Sequence, residues 1–119
     1  MKSKPSIYVL RSLLFVFCIE STASAERENI IVSKDVNDDI ELAELFDILL
    51  RPGFLIYRLD EQQWFIDSIS HYLEVGNTFD GIFNGLDTYF DSDVEDRYRF
   101  MKVLLNCLMR YQAEVLSAS

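Results

Sequence analysis

From Asp93 to Leu116 apolar residues recur every third or fourth position, and few alternatives to a long helix survive that pattern. Val94, Tyr98, Met101, Leu105, Leu108 and Val115 fall on or near one helical face, and Phe100, Val103, Leu104, Cys107 and Tyr111 widen it. The polar residues Glu95, Arg99, Lys102, Asn106, Arg110 and Glu114 leave only a narrow stripe. A helix with so wide an apolar face needs neighbours on several sides, which places it at the centre of a bundle. Ser92 followed by Glu95 has the spacing of a capping box, in which each side chain satisfies a backbone N–H that the first turn leaves unpaired.

The rest of the chain offers helices to pack against it. Asp38 with Glu41 is a second capping box, and Leu42, Leu45, Phe46 and Leu49 follow at helical spacing until Pro52-Gly53 ends the run. Phe54 to Leu59 suits either a short strand or a helical turn. Asp60 is the expected cap of the next helix, with Gln63 at its third position and Leu59 and Trp64 as a hydrophobic staple. Phe65, Ile69, Tyr72 and Leu73 form its apolar stripe, and Gly76 suits the left-handed residue beyond its end. Thr78 opens a short helix carrying Phe79, Ile82, Phe83 and Leu86 on one face. Gly81 and Gly85 on its other side suit close approach of a neighbour. Asp80, Asn84 and Asp87 exclude a membrane helix here. Ile30-Ile31-Val32 suits a short strand or a packed arm. The expectation is a small all-α, single-domain bundle of four or five helices with a long, apolar C-terminal helix. Trp64, Phe65, Ile69, Phe79, Phe83, Met101, Leu105 and Leu108 are its expected core.

Residues 1–25 have the form of a secretory signal peptide. Lys2, Lys4 and Arg11 give a basic start, Ser12 to Ile19 an apolar run, and Ala23-Ser24-Ala25 a cleavage site before Glu26. The run is shorter than the ~20 residues that span a bilayer. The acidic helical domain would then be residues 26–119, located in the periplasm or secreted. The alternative keeps the segment as part of the fold, with Ile7, Val9, Leu10, Leu13 and Leu14 packed inside a cytoplasmic protein.

The chemistry of the side chains argues against an enzyme. Asp91, Asp93, Glu95 and Asp96 lie close together, but the glycine and bidentate glutamate that an EF-hand loop needs do not stand at their positions. Acids there complement a helix N-terminus. Glu74, Asp80 and Asp87 have no His or Lys beside them to separate their pKa values, as acid/base catalysis by carboxylates requires. A small hydrolase using such a pair is the least favoured reading. His71, the one histidine, sits at the edge of an apolar stripe, and Cys107 sits within one as a small core residue. No nucleophile elbow, phosphate loop or zinc-protease motif occurs. No catalytic residue, cofactor or metal is expected.

The formal charge of -9 is the informative number. Such a surface repels nucleic acid and anionic membranes and steers basic partners. Asp60, Glu61, Asp67, Glu74, Asp80, Asp87, Asp91, Asp93, Glu95 and Asp96 form a stretch flanked by Arg58 and Arg97, with no Lys or Arg inside it. On the outer side of packed helices these acids would make a belt able to pair with a basic protein through charge-assisted hydrogen bonds. The expected function is therefore a non-enzymatic, immunity- or inhibitor-like module that masks a basic toxin or nuclease. An intracellular DNA mimic or regulator-binding protein is the alternative. The solvated acidic face of a soluble domain is the plain reading of the same residues.

Within this stretch, Glu74-Val75-Gly76-Asn77-Thr78-Phe79-Asp80-Gly81-Ile82-Phe83 resembles a motif of a family of small acidic helical proteins that includes a bacterial DNA mimic. The Glu-Val start and the aromatics Phe79 and Phe83 carry the resemblance. Asn77-Thr78 stands where that family has a double glycine. The resemblance spans Leu59 to Leu116 and implies a helical protein-binding module without an active site.

Overall fold

A computed structural model describes residues 4–18, 25–84, 88, 90 and 93–118. The fold is all-α. The helices are α1 (Ile7–Leu14), α2 (Ala25–Val32), α3 (Asp39–Leu49), α4 (Arg51–Ile56), α5 (Leu59–Glu74), α6 (Asp80–Phe83) and α7 (Arg97–Ala118). A single 3₁₀ turn, Phe15–Phe17, continues α1. Among the described residues the helices exceed the expected four or five because residues 7–14, 25–32 and 51–56, two of them open to a strand reading, are helical. Among the described residues no helix is long and apolar enough to cross a membrane.

The long C-terminal helix packs against α3, α4 and α5. Its inward face buries Phe100, Met101, Leu104, Cys107, Leu108 and Tyr111, while Tyr98, Met109 and Leu116 remain exposed. Helix α3 runs parallel to α7, since Asp39 meets Arg99 near both N-termini and Asp47 meets Arg110 further along. Helix α5 runs the other way: Phe65 in its first half and Tyr111 near the end of α7 both stack on Phe54 of α4.

Local chemistry sets the boundaries. Asp38 caps α3 by accepting from the backbone N–H groups of Ile40 and Glu41 at 2.9 and 3.0 Å. The carboxylate of Glu41 accepts from Asp35 N–H rather than closing the box. Pro52 falls in the first turn of α4, where a missing N–H costs nothing, so Pro52-Gly53 restarts a helix instead of ending one. Helix α5 begins at Leu59, ahead of the expected Asp60 cap, with Glu61 accepting from Arg58 N–H. Tyr57 packs edge-on against Phe65 at its start. Gly76 has φ 72°, as its place beyond α5 requires. Phe79 also has positive φ, 62°, an uncommon state for a bulky residue. Its buried ring and a 2.6 Å hydrogen bond from its N–H to Asn77 Oδ1 hold it there. Helix α6 therefore starts after Phe79 rather than at Thr78. Helix α7 starts at Arg97, with Asp96 accepting from Arg99 N–H; Ser92, the expected cap, lies outside the described residues, as do Gly85 and Leu86.

Of the expected core, Phe65, Ile69, Phe79, Met101 and Leu108 are buried, and Phe83 and Leu105 pack against them half-buried. Trp64 is a correction. It is half-buried outside this cluster and donates its indole N–H to Lys4 O at 2.7 Å. Helix α1 belongs to the core. Leu10, Leu13, Leu14 and Phe17 are almost fully buried, and Phe17 packs on Phe46. Ser6 N–H donates to the buried Ser68 hydroxyl, and Tyr72 donates to Pro5 O, which fixes the start of α1 on α5. A Cβ at Gly81 would sit 3.3 Å from Ile7 Cγ2, so this glycine does serve a close approach, by α1.

Candidate partner-binding surface

The acids expected to form a belt fall into three groups. Asp60 and Glu61 open α5 and are both paired with Arg58, at 3.3 and 3.4 Å. Asp80 at the start of α6 is paired with Arg97 at 2.6 Å, and that guanidinium lies over the Phe83 ring. The flanking arginines of the sequence thus fold back onto belt residues, which offsets the charge at Asp60 and Glu61 and at Asp80. Asp67 accepts from Gln63 along α5, and Glu74 is exposed at the end of that helix. Asp87 and Asp91 lie outside the described residues. Asp93, Glu95 and Asp96 are exposed ahead of α7. From Asp60 to Glu74 is about 21 Å along α5, so the belt is not one continuous patch.

A denser acidic surface appears where α3 and α7 begin side by side. Asn37 bridges the two starts: its Nδ2 donates to Asp93 O and its Oδ1 accepts from Glu95 N–H, both at 2.9 Å. Val36, fully buried next to it, anchors the bridging loop, and Arg99 reaches back to Val36 O and the Asp39 carboxylate. This brings Asp35, Asp38 and Asp39 next to Asp93, Glu95 and Asp96, all exposed. Among the described residues, ion pairing at this end reaches only Asp39 of the six. Asp35, Asp38, Asp39 and the bridging Asn37 were absent from the expected belt. The run Asp35-Val36-Asn37-Asp38-Asp39 is visibly acidic, but nothing local says that it meets residues more than fifty positions later.

Further down the same helix pair, Asp47 accepts from both the Arg110 guanidinium and the Tyr111 phenol. Arg51 of α4 and Glu114 of α7 pair at 3.0 Å, so three ion pairs line one seam. Burial, then the Asp47 hydrogen bond, pushes the Tyr111 phenol well above its ordinary value. Cys107 is buried beside them, with Arg110 Nη2 3.9 Å from its sulfur, and burial pushes its thiol up. A thiol held protonated packs as a small apolar group and is a poor nucleophile. His71 is exposed and stacks edge-on against Tyr72. Among the described residues no three His, Cys, Asp or Glu side chains are grouped to hold a metal ion.

A scan against protein-family models, a search of curated proteins and a search of solved structures each returned no match.

Proposed function

We propose that this chain is a non-enzymatic protein-binding module, immunity- or inhibitor-like, that masks a basic partner such as a toxin or nuclease with its acidic surface. The observation that carries this reading is the grouping of Asp35, Asp38, Asp39, Asp93, Glu95 and Asp96 at one end, tied together by Asn37. Carboxylates held this close repel one another, a cost that a cationic partner removes. Pairing with arginines on the partner would be charge-assisted, and encounter would be electrostatically steered.

The alternative, an intracellular DNA mimic or regulator-binding protein, draws support from a different observation. Leu10, Leu13, Leu14 and Phe17 are core residues here, and a chain cleaved before Glu26 would lack them. Their packing supports the reading in which the segment stays in the fold.

The test is capture of a partner from the source cell with immobilised protein, followed by association kinetics on the purified pair. The expected partner has a high pI, its association slows as salt rises, and Asp93→Lys with Glu95→Lys slows it strongly. The same reversals at Asp60 and Glu61, already occupied by Arg58, should act weakly. A neutral or acidic partner, or association indifferent to salt and to the Asp93 and Glu95 reversals, would overturn the charge-based reading.

A further inference from the structure

The border between α5 and α7 carries two apolar rows of the same seven-residue period. On α5, Leu59, Ile66 and Leu73 recur every seven residues, and each is followed directly by an acid: Asp60, Asp67 and Glu74. Trp64, Ser68 and Tyr72 bind the segment that leads into α1 from the opposite side of α5, so the Leu59–Ile66–Leu73 row lies on the side of α7. On α7, Arg99 and Arg110 reach α3. Tyr98 and Leu105, also seven apart, and Met109 one turn further lie round the helix from those arginines, toward α5. Ile66 is buried, and Leu73 and Leu105 are half-buried, but Leu59, Tyr98 and Met109 are 46, 46 and 52 % exposed.

Two antiparallel helices whose apolar rows keep this period present the kind of seam that a further helix of a coiled coil fills. The acids fix the charge of that further helix. Asp60, Asp67 and Glu74 stand about 10 Å apart along α5, flanking the seam where coiled coils carry the charges that choose a partner. Arg58 offsets Asp60 at one end. Asp67 accepts from neutral Gln63, and Glu74 is exposed. We infer that this seam docks an amphipathic helix of a basic protein, with its apolar stripe on Tyr98, Leu105 and Met109 and its Lys or Arg side chains on Asp67 and Glu74. A second copy of this chain suits the seam less, since it brings a further charge of -9 to an acidic rim. The site is separate from the acidic end at the starts of α3 and α7, and it stands whether or not that end binds a partner.

The probe is a labelled synthetic helix of about three heptads, with Leu along one stripe and Lys on its flanks. Two counterparts serve as controls: one with Glu for every Lys, and one of unchanged composition with its Leu residues moved off the stripe. Binding to the full 119-residue chain is read by fluorescence anisotropy at physiological salt. The Lys helix should bind about tenfold tighter than either control. Asp67→Asn with Glu74→Gln should erase its advantage over the Glu helix. Tyr98→Ser with Met109→Ser should weaken it about tenfold while leaving the thermal transition in place, because both side chains are exposed. Asp93→Asn with Glu95→Gln removes the same charge from the acidic end and should leave binding unchanged. Equal binding of the peptide with displaced leucines would reduce the effect to net charge. Loss of binding through Asp93 and Glu95 but not through Tyr98 and Met109 would move the peptide to the acidic end. Self-association of the free chain, abolished by the Tyr98 and Met109 changes, would make a second copy the occupant. Each of these, or no binding of the Lys helix at all, overturns the assignment.

Discussion

The phenol of Tyr111 on α7 donates a hydrogen bond to the carboxylate of Asp47 on α3. The tyrosine is almost completely buried, and the same carboxylate receives Arg110. The bond joins two parallel helices that the Arg110–Asp47 and Arg99–Asp39 ion pairs also connect.

Its pH dependence follows from the direction of the shift. Tyr111 holds its proton more tightly in the folded chain than in the unfolded one. Its contribution is therefore fully present below the ordinary tyrosine value, about 10, and is lost as pH rises above it, by about 1.4 kcal/mol per pH unit. Cys107, also shifted up by burial, acts with the same sign from about pH 8.5. Denaturant titrations in a Cys107→Ala background should show stability falling above pH 10, and Tyr111→Phe should flatten that fall. At neutral pH, Tyr111→Phe should cost about 1.5–3 kcal/mol for a hydrogen bond to a charged acceptor. An alkaline slope identical in both chains would mean that the phenol ionises as easily folded as unfolded.

Burial along α7 separates two neighbouring leucines. Leu104 is fully buried, whereas Leu105 is half-buried at the edge of the core. Leu104→Ala should cost about 2–5 kcal/mol, and Leu105→Ala clearly less. Urea midpoints at constant m-value give the comparison directly. The reverse order would mean that α7 is rotated about its axis relative to this structure.

Asn37 makes two hydrogen bonds that hold the segment before α7 against the start of α3. Asn37→Ala should destabilise the chain by about 1–3 kcal/mol. It should also weaken partner association, because Asp93 and Glu95 are no longer held beside Asp35 and Asp38. A destabilised variant that still associates at the natural rate would separate the bridge from the binding surface.

The N-terminal segment can be tested by mass and by stability. Burying Leu10, Leu13, Leu14 and Phe17 contributes roughly 1.5–3 kcal/mol each, comparable in sum with the ~5–15 kcal/mol that stabilises a whole domain. A chain starting at Glu26 should therefore lose its sharp thermal transition and bind ANS, and intact mass of the expressed product should include residues 7–18. A product starting at Glu26 that melts cooperatively would favour export and require a core rebuilt without α1.

Helix content was legible in the sequence because periodic leucines and phenylalanines along α3, α5 and α7 repeat often enough to stand out locally. Capping was less legible. Asp60 looks like a cap, yet Glu61 reaches back to Arg58 and begins α5 sooner; several adjacent acids offer the same service, and tertiary packing chooses. Pro52-Gly53 reads as an ending in isolation, but proline is also welcome in a first turn. Residues 7–17 have the length and apolarity of both an export signal and a core helix, and only the partners they meet in space distinguish the two. The acidic end shows the deepest gap: Asp35 and Asp93 are separated by about half of the chain, and a one-letter string does not record that Asn37 joins them.

The parallel pairing of α3 with α7 also fixes an order of events. Asp39 and Arg99 are separated by 60 positions, and Asp47 and Arg110 by 63. Closing loops of that size is slow compared with forming single helices. During synthesis, α3, α4 and α5 emerge before the helix that packs on all three, leaving the faces it covers exposed until α7 arrives. The nascent chain thus spends that interval as a sticky, helix-rich intermediate. Its surplus of negative charge, which builds up from Asp39 onward as α3 and α5 emerge, keeps such chains apart while they wait.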